Sequence, residues 1–182
     1  MTTIEVIGSI FGLLSVWYSA RASVWCWPSG LANSALFMLL FADARLYGGV
    51  VTNLMFFVVS LYGWIAWRGS ARGDDLIIHR ASPRVRAALV AVLVVATPLV
   101  GFILATFTDA AFPYPDAAIL VLSFVAQGLL TRKVVESWPI WVAVDVLAMI
   151  VYLMRGLYVT AGLYAVFLVL AIHGWRTWRR RA

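Results

Sequence analysis

The sequence predicts an all-α integral membrane protein of seven transmembrane helices in a 3+1+3 parallel repeat, and three observations carry that prediction. Of its 182 residues 64% are hydrophobic and only 12% are charged, with a mean hydropathy of +0.95. Soluble domains run nearer roughly 45–50% apolar and about 25% charged. The apolar residues fall into seven runs, each close to the roughly 20 residues that cross a bilayer as a helix. Finally, the chain matches itself without a gap at a shift of 111 residues. That shift places Trp27-Pro28 on Trp138-Pro139, Leu46-Tyr47 on Leu157-Tyr158, and Phe56 on Phe167. It also places Gly63-Trp64 on Gly174-Trp175, Trp67-Arg68 on Trp178-Arg179, Arg21 on Arg132 and Glu5 on Asp116.

The seven runs are 3–20, 25–42, 46–67, 86–107, 115–132, 135–154 and 157–176. Met1-Thr-Thr-Ile-Glu5 lacks the basic opening of a signal peptide, so the first run is expected to stay as a helix. The stretch from Arg68 to Arg86, with Gly73-Asp-Asp75, His79 and Ser82-Pro83, reads as the one real loop. Two prolines in Phe112-Pro-Tyr-Pro-Asp116 keep the fourth helix from running into the fifth. The repeat then divides the chain into a first three-helix unit at 1–68, a loop and connector helix at 69–111, and a second unit at 112–182. With a single helix between them, both units cross the membrane in the same direction, about an axis along its normal.

Seven crossings put the termini on opposite sides, and the basic residues choose which. Twelve fall on one side: Arg21, Arg68, Arg72, Arg80, Arg84, Arg86, Arg132, Lys133, Arg176, Arg179, Arg180 and Arg181. Only Arg45 and Arg155 fall on the other. The positive-inside rule therefore predicts a cytoplasmic C-terminus and an outside N-terminus. It also explains the net charge of +6 as topology, without a nucleic-acid partner.

One stretch concentrates the candidate chemistry. In Glu136-Ser-Trp-Pro-Ile-Trp-Val-Ala-Val-Asp145 a helix puts Trp138, Trp141 and Asp145 at i, i+3 and i+7, on one face. A carboxylate two turns inside a membrane helix is costly, and beside aromatic faces it suits a cationic or aromatic ring ligand. The alternative is an interfacial tryptophan belt with Asp145 bonded to a neighbouring helix. Trp67 and Trp178 are expected to be belt anchors of that kind.

Other polar side chains inside the runs are Asn33, Asn53, Ser60, Ser123, Gln127, Tyr152 and Tyr164. The two units differ at these places: Asn53 matches Tyr164, Ser60 matches Ala171, Ser34 matches Asp145, Gly30 matches Trp141 and Val16 matches Gln127. A duplicated scaffold decorated unequally suits an asymmetric ligand. The candidate substrate-binding set is Gln127, Trp138, Trp141, Asp145, Asn53, Ser60, Asn33 and Tyr164. No metal set forms around His79 or His173, no phosphate-binding loop or nucleophile–base pair is present, and the lone Cys26 precludes an internal disulfide. These absences predict no cofactor and no enzyme. A non-transporting membrane scaffold or sensor, its polar residues only joining helices, is the rival from another class.

The residues also carry a resemblance. Trp25-Cys-Trp-Pro-Ser-Gly-Leu-Ala-Asn33, Leu61-Tyr-Gly-Trp-x-x-Trp67, Thr131-Arg-Lys-x-x-Glu-x-Trp-x-x-Trp141 and Gly174-Trp-x-x-Trp178 resemble the PnuC family of bacterial vitamin transporters over essentially the whole chain. The resemblance implies a SWEET-like fold and a homotrimer in the bacterial inner membrane. It implies facilitated diffusion of a small vitamin substrate across the membrane lipid, with trapping by a cytoplasmic vitamin kinase that links uptake to NAD biosynthesis. It also implies that Trp138, Trp141 and Gln127 line the substrate site. Nicotinamide riboside is the leading substrate on this resemblance. Members for nicotinamide riboside commonly carry Asn at the positions of Asp145 and Ser60, and the Asp and Ser here look more like relatives assigned to thiamine or riboflavin.

Overall fold

The computed structural model describes residues 3–43, 47–68 and 77–182. Arg45, Arg72 and Gly73-Asp-Asp75 lie outside the described residues. The described residues form seven α-helices: α1 (Thr3–Ala20), α2 (Cys26–Asp43), α3 (Tyr47–Arg68), α4 (Pro83–Phe107), α5 (Pro113–Thr131), α6 (Ser137–Met154) and α7 (Tyr158–Arg179). Six of them are long and apolar enough to cross a membrane, and α2 is the exception. Its position explains the difference. α2 packs between α1 and α3, so its polar residues face protein. Asn33 donates to the Gly8 carbonyl of α1 at 2.8 Å, and Ser15 of α1 donates to the Cys26 carbonyl at 2.8 Å.

Helices α1, α2 and α3 pack in sequence, as do α5, α6 and α7, and the two groups meet where α1 touches α7 and α3 touches α5. Among the described helices α4 packs on α5 alone and leaves Val90, Val94, Val95, Leu99 and Phe102 exposed. A Cβ at Gly101 of α4 would collide with the Tyr114 ring, so that glycine sets how near α4 lies to α5.

The ends of α1 and α5 are built alike. Ala22 and Lys133 both take positive φ, 54° and 59°. In each turn one amide bonds five residues back, Ser23 to Tyr18 at 2.9 Å and Val134 to Leu129 at 3.0 Å. Each turn also has an amide bonding three residues back, Ala22 to Ser19 and Lys133 to Leu130, both at 2.9 Å. This is the Schellman termination, and it places a non-glycine residue where glycine is usual. The two turns are related by the same 111-residue shift.

The expected loop is shorter than its sequence suggests. α4 starts at Pro83, behind the N-cap Ser82, whose hydroxyl accepts from the Val85 amide. Proline at the first helical position loses no intrahelical bond, so the helix begins three residues before the expected Arg86. Just upstream, residues 77–82 are strapped to the α5–α6 turn. His79 donates to the Lys133 carbonyl and accepts from the Val135 amide, both at 2.9 Å. Glu136 accepts from the Ala81 amide at 2.9 Å and pairs with Arg86 at 2.7 Å. At the opposite end of the bundle Arg155 pairs with Asp116 at 2.6 Å and lies over the Phe112 ring.

Candidate functional site

Four tryptophans close the bundle at its arginine-rich end. Trp27 and Trp67 meet edge to face, ring centroids 5.1 Å apart, and Trp138 and Trp178 do the same at 5.5 Å. Trp67 and Trp178 then face each other at 6.2 Å, joining the two pairs. All four are buried, which corrects the expectation of a lipid-facing belt for Trp67 and Trp178. Their indole N–H groups account for the burial. Trp67 donates to the Thr131 carbonyl at the end of α5, and Trp178 to the Ser19 carbonyl near the end of α1, each at 3.0 Å. Carbonyls in the last turn of a helix lack their usual intrahelical donor, so each indole caps a helix of the other group, the Ser19 carbonyl accepting from the Ala22 amide as well. The rings of Trp27 and Trp138 sit against Gly63 and Gly174, with no room for a Cβ at either glycine. The indole nitrogens of Trp27 and Trp138 are sealed from solvent with no hydrogen-bond partner.

Above this plug the candidate residues of α6 continue up one face. Trp138 belongs to the plug, and Trp141 lies half-buried against it one turn further. Asp145 follows about 10 Å above Trp138 at helical rise. It is 4% exposed, and among the described residues it makes no ion pair and no side-chain hydrogen bond. Tyr164 of α7 lies within electrostatic reach of Asp145 and Tyr152, and its ring packs 5.3 Å from that of Tyr152. Tyr164 also meets Phe167 edge to face at 5.7 Å, and Phe167 points at Gly12 of α1, beside Asn33. Asp145, Tyr164 and Asn33 thus stand along one connected wall spanning α6, α7, α1 and α2.

The other candidates sit on α3 and α5. Phe56 of α3 stacks on Phe124 of α5 with centroids 5.0 Å apart and planes 17° from parallel. Ser60 and Gln127 each lie about one helical turn beyond that stack, toward the plug. Ser60 is buried, and its hydroxyl and that of Ser15 both lie beside Gly30 of α2, while Gln127 is half-buried. Asn53 lies a turn the other way and spends its amide on the Gly49 carbonyl of its own helix at 2.9 Å. The candidates therefore fall into two sets, Asp145, Tyr164 and Asn33 in one and Ser60 and Gln127 in the other. The two clearest clefts are elsewhere, on the outer side of α6 and α7 near Trp175 and Arg179.

Sequence reasoning missed the capping role of Trp67 and Trp178 and the anchoring role of Glu136. The signal for the first was available: Gly63 and Gly174 each lie four residues before a tryptophan, and both glycines recur at the repeat shift. Glu136 had none, because its partners Ala81 and Arg86 are fifty or more residues away.

The bundle is thus plugged by tryptophans at one end, with the buried Asp145 beyond the plug. The sequence model of the nicotinamide mononucleotide transporter family matches residues 2–180. The chain belongs to this family. Nicotinamide riboside transporter PnuC of Escherichia coli is 28% identical over 204 residues, covering 98% of this chain and 85% of that protein. Riboflavin/roseoflavin transporter RibM of Streptomyces davaonensis is also 28% identical, over 183 residues, with the same two coverages. The crystal structure of the vitamin B3 transporter PnuC superposes with a TM-score of 0.79 at 22% identity, over 98% of this chain and 81% of that one. The protein is accordingly a multi-pass membrane transporter of the PnuC family and not an enzyme.

Proposed function

We propose that this PnuC-family transporter is a uniporter that imports a cationic B-vitamin or its nucleoside, nicotinamide riboside first, into a bacterial cytoplasm. The observation that carries this reading is Asp145, a carboxylate two turns inside α6, 4% exposed, with no protein cation beside it among the described residues. A buried ionised group needs a counter-charge. Nicotinamide riboside and thiamine both bring a positively charged ring, and the indole face of Trp141 one turn away would accept it. Gln127, Ser60, Asn33, Asn53 and Tyr164 would meet the polar remainder of the ligand, and Trp138 would form the floor.

Transport then requires the floor to open. The 3+1+3 parallel, SWEET-like repeat supplies the moving parts: units 1–68 and 112–182 rock about their contact, with 69–111 as connector. Opening would part Trp67 from Trp178 and release the indoles from Thr131 and Ser19. The charge bias supports a plug on the cytoplasmic side and an N-terminus outside. The exposed apolar face of α4 suits contact with further copies in a homotrimer. Facilitated diffusion stops at equal concentrations, so net uptake would rest on a separate cytoplasmic kinase that phosphorylates the vitamin.

Likeness to RibM, equal in identity to that of the Escherichia coli relative, favours riboflavin as a second reading. Riboflavin is neutral, and with it Asp145 would act as a hydrogen-bonding group instead of a counter-charge.

Uptake of labelled nicotinamide riboside, thiamine and riboflavin into proteoliposomes, without any ion gradient, tests the function. Movement of at least one down its own gradient is expected. Failure of all three to move, or uptake only with an imposed ion gradient, would refute the uniporter.

A further inference from the structure

We propose that the outer groove between α6 and α7, at the arginine-rich end, is a binding site for the phosphate group of an anionic membrane lipid. Two adjoining clefts of about 300 and 320 Å³ share Trp175 and Arg179 as walls. The groove faces away from the transport path. α7 buries Ala171, Gly174 and Trp178 toward the bundle and turns Ile172, Trp175, Arg176 and Arg179 outward.

The order of residues along the groove follows the order of chemistry along a phospholipid. Val142 and Ile172 line its deep part, where acyl chain would lie. Trp175 comes one turn nearer the end of α7, at the depth where an amphipathic ring meets glycerol and ester groups. Arg176 and Arg179 come last, and Arg80 and Arg86 reach the same cleft from the strap and α4. Arg86 is matched by Glu136, whereas Arg80, Arg176 and Arg179 have no carboxylate partner among the described residues. Three uncompensated guanidinium groups beside an apolar slot are complementary to a headgroup phosphate with its chain attached.

The chain carries its own contrast. At the repeat shift, Arg176 and Arg179 correspond to Ile65 and Arg68, and Arg80 and Arg86 correspond to nothing in the first unit. Arg68 is already occupied, with its guanidinium 5.1 Å from the Trp64 ring. The first unit therefore carries one arginine at these positions, and the second carries two with Arg80 and Arg86 added.

The test is native mass spectrometry on the delipidated full chain, offered phosphatidylglycerol, phosphatidylcholine or inorganic phosphate. Wild type should retain phosphatidylglycerol over phosphatidylcholine by roughly tenfold or more. The Arg80→Gln, Arg176→Gln, Arg179→Gln triple variant should bring that ratio near one, while Arg68→Gln leaves it unchanged. Bound inorganic phosphate that phosphatidylglycerol does not displace would overturn the lipid assignment in favour of a free anion. Equal retention of the two lipids by wild type, or lipid-independent disulfide cross-linking of two copies of Ile172→Cys, would overturn the site itself. Circular dichroism of the triple variant guards against loss of fold.

Discussion

The ring of Trp138 lies so close to Gly174 that a Cβ there would come within 2.5 Å of its Cη2, and Trp27 stands against Gly63 at the same distance. The same ring atoms make both contacts, in two units 111 residues apart. Each glycine lets a helix approach its neighbour over an indole, and neither ring can move aside within a buried plug. Gly174→Ala and Gly63→Ala are expected to destabilise the bundle by about 1–3 kcal/mol each through overpacking. Gly162→Ala, on the same helix as Gly174 but with nothing within 4 Å of the added atom, is the control and should lose nothing. Thermal unfolding in detergent measures all three.

Removal of an indole N–H tests the crossing between the units. Trp67→Phe and Trp178→Phe keep an aromatic ring but remove the indole donor from the Thr131 and Ser19 carbonyls. The Ser19 carbonyl keeps its bond from the Ala22 amide. A buried polar group left unpaired costs about 1–3 kcal/mol. Trp67→Phe should therefore lose stability in that range, and Trp178→Phe should lose less. A larger loss from Trp178→Phe would show that the capping bonds do not decide the cost.

Much of the fold was legible in the chain because a membrane enforces it. Helices must satisfy their own backbone in lipid, so seven apolar runs give seven helices, although α4 and α5 start at Pro83 and Pro113, a few residues before the expected 86 and 115. The gapless repeat anticipated which positions share a local geometry, down to the paired turns at Ala22 and Lys133. What the chain did not disclose was burial. Hydropathy cannot tell a tryptophan at the lipid surface from one in a protein plug, so Trp67 and Trp178 looked like anchors. Nor does composition show that the polar residues of α2 face α1 and α3. Asp145 was legible for a simpler reason: it is the acidic residue buried in the middle of an apolar helix, and burial of a charge asks for an explanation.

Glu136 ties the strap before α4 to the start of α6 through the Ala81 amide and Arg86. Glu136→Gln should weaken both interactions while the helices stay formed. Hydrogen exchange at the His79 and Ala81 amides is the measurement, and faster exchange there, with the α6 interior unchanged, is the expected outcome. Unaltered protection would mean that the His79–Val135 bonds alone hold the strap.

Trp141 supplies the aromatic face beside the carboxylate. Trp141→Ala should weaken binding of a cationic vitamin by about 1 kcal/mol or more, roughly fivefold, on loss of the cation–π contact. Calorimetry with nicotinamide riboside and with thiamine reads the effect. Equal affinity in the variant would remove Trp141 from the site.

The most direct measurement is exchange of labelled vitamins by wild type and by Asp145→Asn, reconstituted at equal density. Loss of the carboxylate should cost nicotinamide riboside and thiamine about tenfold or more in apparent affinity, the worth of a charged partner, and spare neutral riboflavin. The order of preference among the three should therefore change. If all three vitamins exchange with the same affinities and the same ranking in both proteins, Asp145 is not the group that meets the substrate.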